Sequence, residues 1–277
     1  MYHLLLLVSL IWAGSFIAIK VALNYIDPYN LAFYRFLIAT PIMLAIFKPS
    51  FRISLRDLLK ITILALSGVT LLYAIQFYAL EITTATKASI LINTCVIFTA
   101  ILSYIFLKES MNFRKIVGIF IAFLGVFFVV SNCQINSINL GDVLMIIDGF
   151  LWAIYTVLGK VMLDRFKAEH LTTYAFFFGT IFLFPFALYN GLANPLTFEQ
   201  SLILSILYLS IPCSVFAYLI WYRALNFLKA TNVAFFTYLI PLFTAILAYL
   251  FIAEEITIFT AIGGTLIILG MYFVERD

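Results

Sequence analysis

Phe98-Thr99-Ala100-Ile101-Leu102 returns letter for letter as Phe243-Thr244-Ala245-Ile246-Leu247, 145 residues further on. The same offset carries Ala79-Leu80 to Ala224-Leu225, Ala85-Thr86 to Ala230-Thr231, Tyr104 to Tyr249 and Glu109 to Glu254. It also carries Gly118 and Gly125 to Gly263 and Gly270. Nearer the N-terminus the offset is 140, and it pairs Trp12, Lys20 and Tyr34 with Trp152, Lys160 and Tyr174. A period this long is not that of a solenoid. The setting is apolar: 65% of the 277 residues are hydrophobic, 10% are charged, and the mean hydropathy is +1.14. A soluble domain covers itself with about 25% charged residues. The composition therefore predicts a chain solvated by lipid, a duplicated membrane bundle with a functional site between its copies.

Ten apolar stretches approach the roughly 20 residues that a helix needs to cross about 30 Å of hydrocarbon. They fall near 3–25, 28–47, 58–80, 86–107, 113–131, 141–163, 170–190, 202–223, 231–252 and 258–274. The longest polar break lies between Ser131 and Gly141, so the reading is a first five-helix repeat over 1–131, a linker at 132–140 and a second repeat over 141–277. The fold class expected is an all-α integral membrane protein. Lys48, Arg52, Arg56, Lys60, Lys108, Arg114, Lys115, Lys160, Arg165, Lys167, Arg223, Lys229 and Arg276 fall on one side if the N-terminus is cytoplasmic. The other side keeps Lys87, with Lys20 near a helix end. This bias places both termini in the cytoplasm. Five spans per half is an odd number, so the second copy enters the membrane from the opposite face, as an inverted repeat. Such repeats support two related conformations around a midplane site.

Other classes fit less well. The net charge of +3 sits in loops and calls for no nucleic acid. Cys95, Cys133 and Cys213 have neither metal-ligand spacing nor an even count. Residues 3–25 lack a basic leader and read as a retained first helix. His3 and His170 both lie near helix ends, so no helix presents a metal pair and no base reaches Ser15 for an intramembrane enzyme. No filter element of a channel is visible. The alternatives to a transporter are a membrane scaffold, a lipid-handling bundle or, less well supported, an intramembrane enzyme. The carrier reading implies no cofactor.

Several motifs carry a family resemblance. They are Leu10-Ile11-Trp12-Ala13-Gly14-Ser15-Phe16, Pro28 with Phe33-Tyr34-Arg35-Phe36, Phe106-Leu107-Lys108-Glu109-Ser110 leading to Gly118 and Gly125, and Pro241, Glu254, Gly263 and Gly270. In this order, and doubled, they resemble the EamA-like branch of the drug/metabolite transporter superfamily. The resemblance implies ten helices and secondary transport of small metabolites, often amino acids, across a prokaryotic inner membrane. Relatives often carry proline in both fourth and ninth helices. Here Val96 stands opposite Pro241, so kinking and gating are expected to differ between halves.

Asp148 is the least expected residue, since a carboxylate at the centre of a membrane helix costs about 2.5–3.5 kcal/mol. Asp148, Trp152, Tyr155 and Gly159 share one helical face, which is expected to line the cavity. Relatives usually have a small apolar residue at this position. Asp148 is a candidate proton carrier or partner of a substrate amine, with an ion pair to Arg35 as the alternative. Arg35 itself reads as a structural anchor or as a ligand for a substrate carboxylate. Trp12 joins the candidates through its match to Trp152. Tyr73, Gln76 and Asn93 match Tyr218, Trp221 and Tyr238 at 145, and Ser89 shares a face with Asn93. These are candidate substrate contacts, because buried amides and phenols need partners that a wet cavity supplies. Snorkelling is the ordinary reading for Lys20 and Lys160. Glu109 and Glu254, at helix C-termini, need partners against the dipole. The glycines at 118, 125, 263 and 270 read as packing faces, either between the two end helices or between subunits. Reporter fusions at residue 277 and in the 48–57 loop should be active on the cytoplasmic side only, and fusions at Asn190 should be active outside. The reverse pattern would overturn the assigned orientation.

Overall fold

The computed structural model describes residues 1–83, 85–131, 139–252 and 258–275. Linker residues 132–138, Cys133, Glu254, Arg276 and the side chain of Lys87 lie outside them. Every regular element among the described residues is helical. The first half contains α1 (Tyr2–Ala22), α2 (Pro28–Phe47), α3 (Leu55–Ile82), α4 (Ala88–Leu107) and α5 (Phe113–Ser131). The second contains α6 (Leu140–Met162), α7 (Ala168–Tyr189), α8 (Gln200–Phe227), α9 (Ala230–Phe251) and α10 (Ile258–Glu275). Among the described residues, eight helices, all of these except α5 and α10, are long and apolar enough to cross a membrane. Their outward faces carry large apolar side chains such as Ile63, Ile181 and Phe216, which suits hydrocarbon rather than water.

Helix ends are closed by side chains, some local and some from distant parts of the chain. Asp27 caps α2 by accepting from the Tyr29 and Asn30 amides, and Asn139 and Asp142 form a reciprocal capping box at α6. Lys20 and Lys160 do not snorkel. Lys20 donates to the Leu80 and Thr83 carbonyls at the end of α3, and Lys160 to Leu225 and Leu228 at the end of α8. The last carbonyls of a helix lack intrahelical partners and gather negative charge, so a lysine from α1 or α6 satisfies both needs. Glu109 does the converse. It accepts from the Ala230 and Thr231 amides and from the Thr231 hydroxyl, capping α9 at its positive end. Asp57 pairs with Arg165 at 2.6 Å and ties the start of α3 to the α6–α7 connection.

Four helices are interrupted at matched places. α3 widens into a π-turn at Leu66–Thr70 and α8 into one at Ile211–Phe216, 145 positions later. Pro212 lies only in the second, so proline is not what creates the feature. α4 breaks at Ile92–Asn93, while α9 tightens to a 3-10 turn at Phe236–Tyr238, the same position in the other half. Across the Val96–Pro241 difference both halves are interrupted, but in different ways: an open turn in α4 and a 3-10 turn in α9. Close neighbours hold the broken segments. Ser9 donates to the Phe236 carbonyl. Gly149, which matches Ser9 at offset 140, lets α6 approach the break in α4, where a Cβ would lie 2.9 Å from the Ile92 carbonyl oxygen.

The end-helix glycines pack α5 directly on α10. A Cβ at Gly125 would lie 2.6 Å from the Gly263 carbonyl oxygen, and one at Gly270 2.6 Å from that of Gly118. Backbone cannot yield as a side-chain tip can, so Gly125→Leu and Gly270→Leu should each lower stability by about 1–3 kcal/mol in thermal unfolding. Gly264→Ala, which would meet only Leu242, should cost less.

Candidate functional site

A cavity with about 480 Å³ of atom-free space opens among α1, α2, α3, α4, α6 and α9. Trp12, Ser15 and Phe16 of α1 line it with Arg35, Leu72 and Tyr73. Gln76, Ile92, Cys95, Trp152, Thr237 and Ile240 complete the wall. The interrupted backbone of α4 and α9 thus borders the cavity, where irregular chain in a membrane is tolerated. Residues matched across the halves meet here. The Trp12 and Trp152 rings are 5.2 Å apart, the Tyr73 and Tyr218 hydroxyls 2.7 Å, and the Thr40 and Thr180 hydroxyls 2.8 Å.

Arg35 is 1% exposed, and its neighbours account for its position. Nε donates to the Ser214 hydroxyl at 2.8 Å, and a terminal nitrogen donates to the Tyr73 hydroxyl at 3.0 Å. The guanidinium carbon also lies 4.1 Å from the Tyr73 ring centroid. The Tyr218 hydroxyl is 3.0 Å from the Gly68 carbonyl, which can only accept. The hydrogen bonds therefore run in one direction, from Arg35 to Tyr73 to Tyr218 to Gly68. No ion pair joins Arg35 to Asp148, because each has other partners. The guanidinium thus faces the cavity as a cation held by neutral groups.

Asp148 is fully buried. Its Oδ2 accepts from Gln76 at 3.1 Å, and its Oδ1 has no hydrogen-bond partner. Gln76 lines the cavity and Asp148 stands directly behind it. The carboxyl is thus one side chain removed from the cavity, with an oxygen able to hold a proton. Cys95 and Cys213 are buried free thiols, and Cys95 lies 3.7 Å from the Thr237 hydroxyl across the α4–α9 gap.

Of the residues expected from sequence, Trp12, Arg35, Tyr73, Gln76 and Trp152 form the wall. Tyr155, Tyr218 and Trp221 pack behind it in one aromatic cluster with Trp152. Tyr155 rests on Gly68, where a Cβ would lie 1.9 Å from its ring. Ser89, Asn93 and Tyr238 are buried away from the lining, and Asn93 donates back to the Ser89 carbonyl across the α4 break. The sequence reading missed Ser15, Phe16, Leu72, Ile92, Cys95, Thr237 and Ile240. The repeat held a signal for four of these, since Ile92 matches Thr237 and Cys95 matches Ile240 at 145. Tyr155 and Trp221 occupy the positions that correspond to Ser15 and Gln76, so the cavity's counterpart in the other half is filled with aromatic rings.

The EamA-like transporter family profile matches residues 1–131 and 139–276. An uncharacterized transporter of Archaeoglobus fulgidus is 53% identical, covering 98% of this chain and 96% of its own. A probable amino-acid metabolite efflux pump of Escherichia coli is 26% identical, with coverage of 97% and 92%. A solved crystal structure aligns with a TM-score of 0.80 over 98% of this chain and 95% of that one; at 15% identity it bears on the fold alone. With a bundle of membrane-length helices around a central cavity, and the profile matched across both halves, this chain belongs to the EamA-like transporter family and is an integral membrane transporter.

Proposed function

We propose that the chain is a secondary-active carrier in which ten helices form two inverted five-helix repeats, 1–131 and 141–277, that alternate access to the central cavity. The supporting observation is that residues at offsets 140 and 145 touch their own counterparts: Trp12 with Trp152, Thr40 with Thr180, and Tyr73 with Tyr218. A residue reaches its own counterpart only beside a local two-fold axis. An in-plane axis of this kind is the geometry of inverted-repeat carriers. Both termini are then cytoplasmic, by the lysine and arginine bias.

The solute is a small amphipathic or zwitterionic metabolite of the amino-acid kind, moved outward. The wall is aromatic, with one cation, and the distant relative in Escherichia coli bears the name of an amino-acid metabolite efflux pump. Arg35 receives the solute's carboxylate. Asp148, reached through Gln76, carries the coupling proton. Its carboxyl has an unpartnered oxygen in a site where charge is costly, so gaining and losing a proton there changes the energetics of the bundle.

Reconstitution in liposomes tests the carrier reading. Uptake of amino acids should saturate and accelerate when the same solute is loaded on the far side. Linear flux would favour a channel. Absence of flux with every metabolite class would favour a scaffold. Asp148→Asn should abolish proton-driven accumulation while leaving solute exchange measurable; accumulation with unchanged pH dependence would exclude Asp148 as the proton site. Arg35→Gln should raise KM for a carboxylated solute at least ten-fold and leave an amide analogue less affected.

A further inference from the structure

We propose that the two π-turn carbonyls, Gly68 O of α3 and Cys213 O of α8, are the poles of a hydrogen-bond exchange that distinguishes the two conformations of the carrier. This rests on the inverted-repeat reading above. The two carbonyls correspond at offset 145 and are held by different groups. Cys213 O accepts from the Trp12 indole at 3.0 Å. Gly68 O accepts from the Tyr218 hydroxyl at 3.0 Å. Trp152, the counterpart of Trp12, lines the same cavity, yet its buried indole nitrogen meets no acceptor. One indole is bonded and its twin is idle, although their rings are 5.2 Å apart.

Exchanging the roles of the halves produces a second arrangement with the same number of bonds. Trp152 then donates to Gly68 O, Tyr73 donates to Cys213 O, and Trp12 becomes idle. The Tyr73–Tyr218 contact, 2.7 Å long, reverses its direction of donation. The Arg35 bond to the Tyr73 oxygen is compatible with either direction. For Trp152 to reach Gly68, the Tyr155 ring that now rests on that glycine must move away. Tyr155 corresponds to Ser15, which lines the open cavity, so its departure opens space in the other half. The exchange thus links the choice of carbonyl to the side on which the cavity lies. Two states equal in bond count differ little in energy, which lets a modest bias select between them.

The test uses the full chain in lipid nanodiscs without added solute. Native cysteines are replaced by alanine, and spin labels are placed at Arg56 with Asp164 or at the matched pair Asn24 with Ser201, all of which are exposed. Trp12→Phe removes a bond of the present state and should move the ratio of the two distance populations about five-fold towards the other state. Trp152→Phe removes a bond of the alternative state and should move the ratio by a similar factor the opposite way. Tyr218→Phe should move with Trp12→Phe, and keeps the test open if that variant does not fold. Opposite shifts support the exchange. Shifts in the same direction, or two populations that no variant moves, overturn the exchange but leave alternating access standing. A single distance population in the parent and in every variant overturns both.

Discussion

Irregular backbone inside a membrane needs a partner for each carbonyl that leaves its helix, because hydrocarbon offers none. This bundle interrupts four helices at depth, and the groups that answer those interruptions build the site. In the π-turns of α3 and α8, Gly68 O and Cys213 O accept from Tyr218 and Trp12. In the 3-10 turn of α9, Phe236 O accepts from the Leu239 amide and also from Ser9. Each partner comes from another helix, so satisfying the backbone also fixes the packing. The aromatic wall around the cavity follows from the same need. Trp12 and Tyr218 present apolar faces to neighbouring rings and polar tips to backbone carbonyls.

The charges obey a related rule. Lys20, Lys160 and Glu109 each sit where a helix terminus of opposite sign requires them. They tie α1 to α3, α6 to α8, and α4 to α9. Arg35 and Asp148 do not follow this pattern. They lie at depth, held by neutral groups, and neither neutralises the other. A stability role alone would be better served by joining them, since a buried charge without a counter-ion is costly. Their separation leaves a fixed cation at the cavity wall and a carboxyl one side chain behind it.

Departure from symmetry accounts for the side on which this cavity opens. Ser15 and Gln76 are small or flexible where Tyr155 and Trp221 are bulky. The first pair lines open space and the second packs solidly. Conformation and sequence both contribute to this difference, because Tyr155 seats on a glycine, Gly68, whose counterpart is Cys213. Matched positions with unlike residues therefore set which half holds the open space, while the identical pairs Trp12–Trp152 and Tyr73–Tyr218 meet beside it.

The sequence by itself determined the solvent, the length of the helices and the duplication, because these depend on composition and periodicity along the chain. It also singled out five residues of the cavity wall, through polar groups in unlikely places and their matches across the repeat. Only the tertiary structure decided which partner each polar group takes. Lys20 caps α3 instead of snorkelling, Glu109 caps α9, and Asp148 meets Gln76 rather than Arg35. Those choices depend on distances between helices far apart in the chain. The breaks in α3 and α4 were equally hidden, since neither coincides with a proline that would announce it, whereas Pro241 lies four residues after Thr237 in the α9 break. In α3 and α9 a side chain of a neighbouring helix donates to the interrupted backbone, and in α4 its own Asn93 donates back to the Ser89 carbonyl.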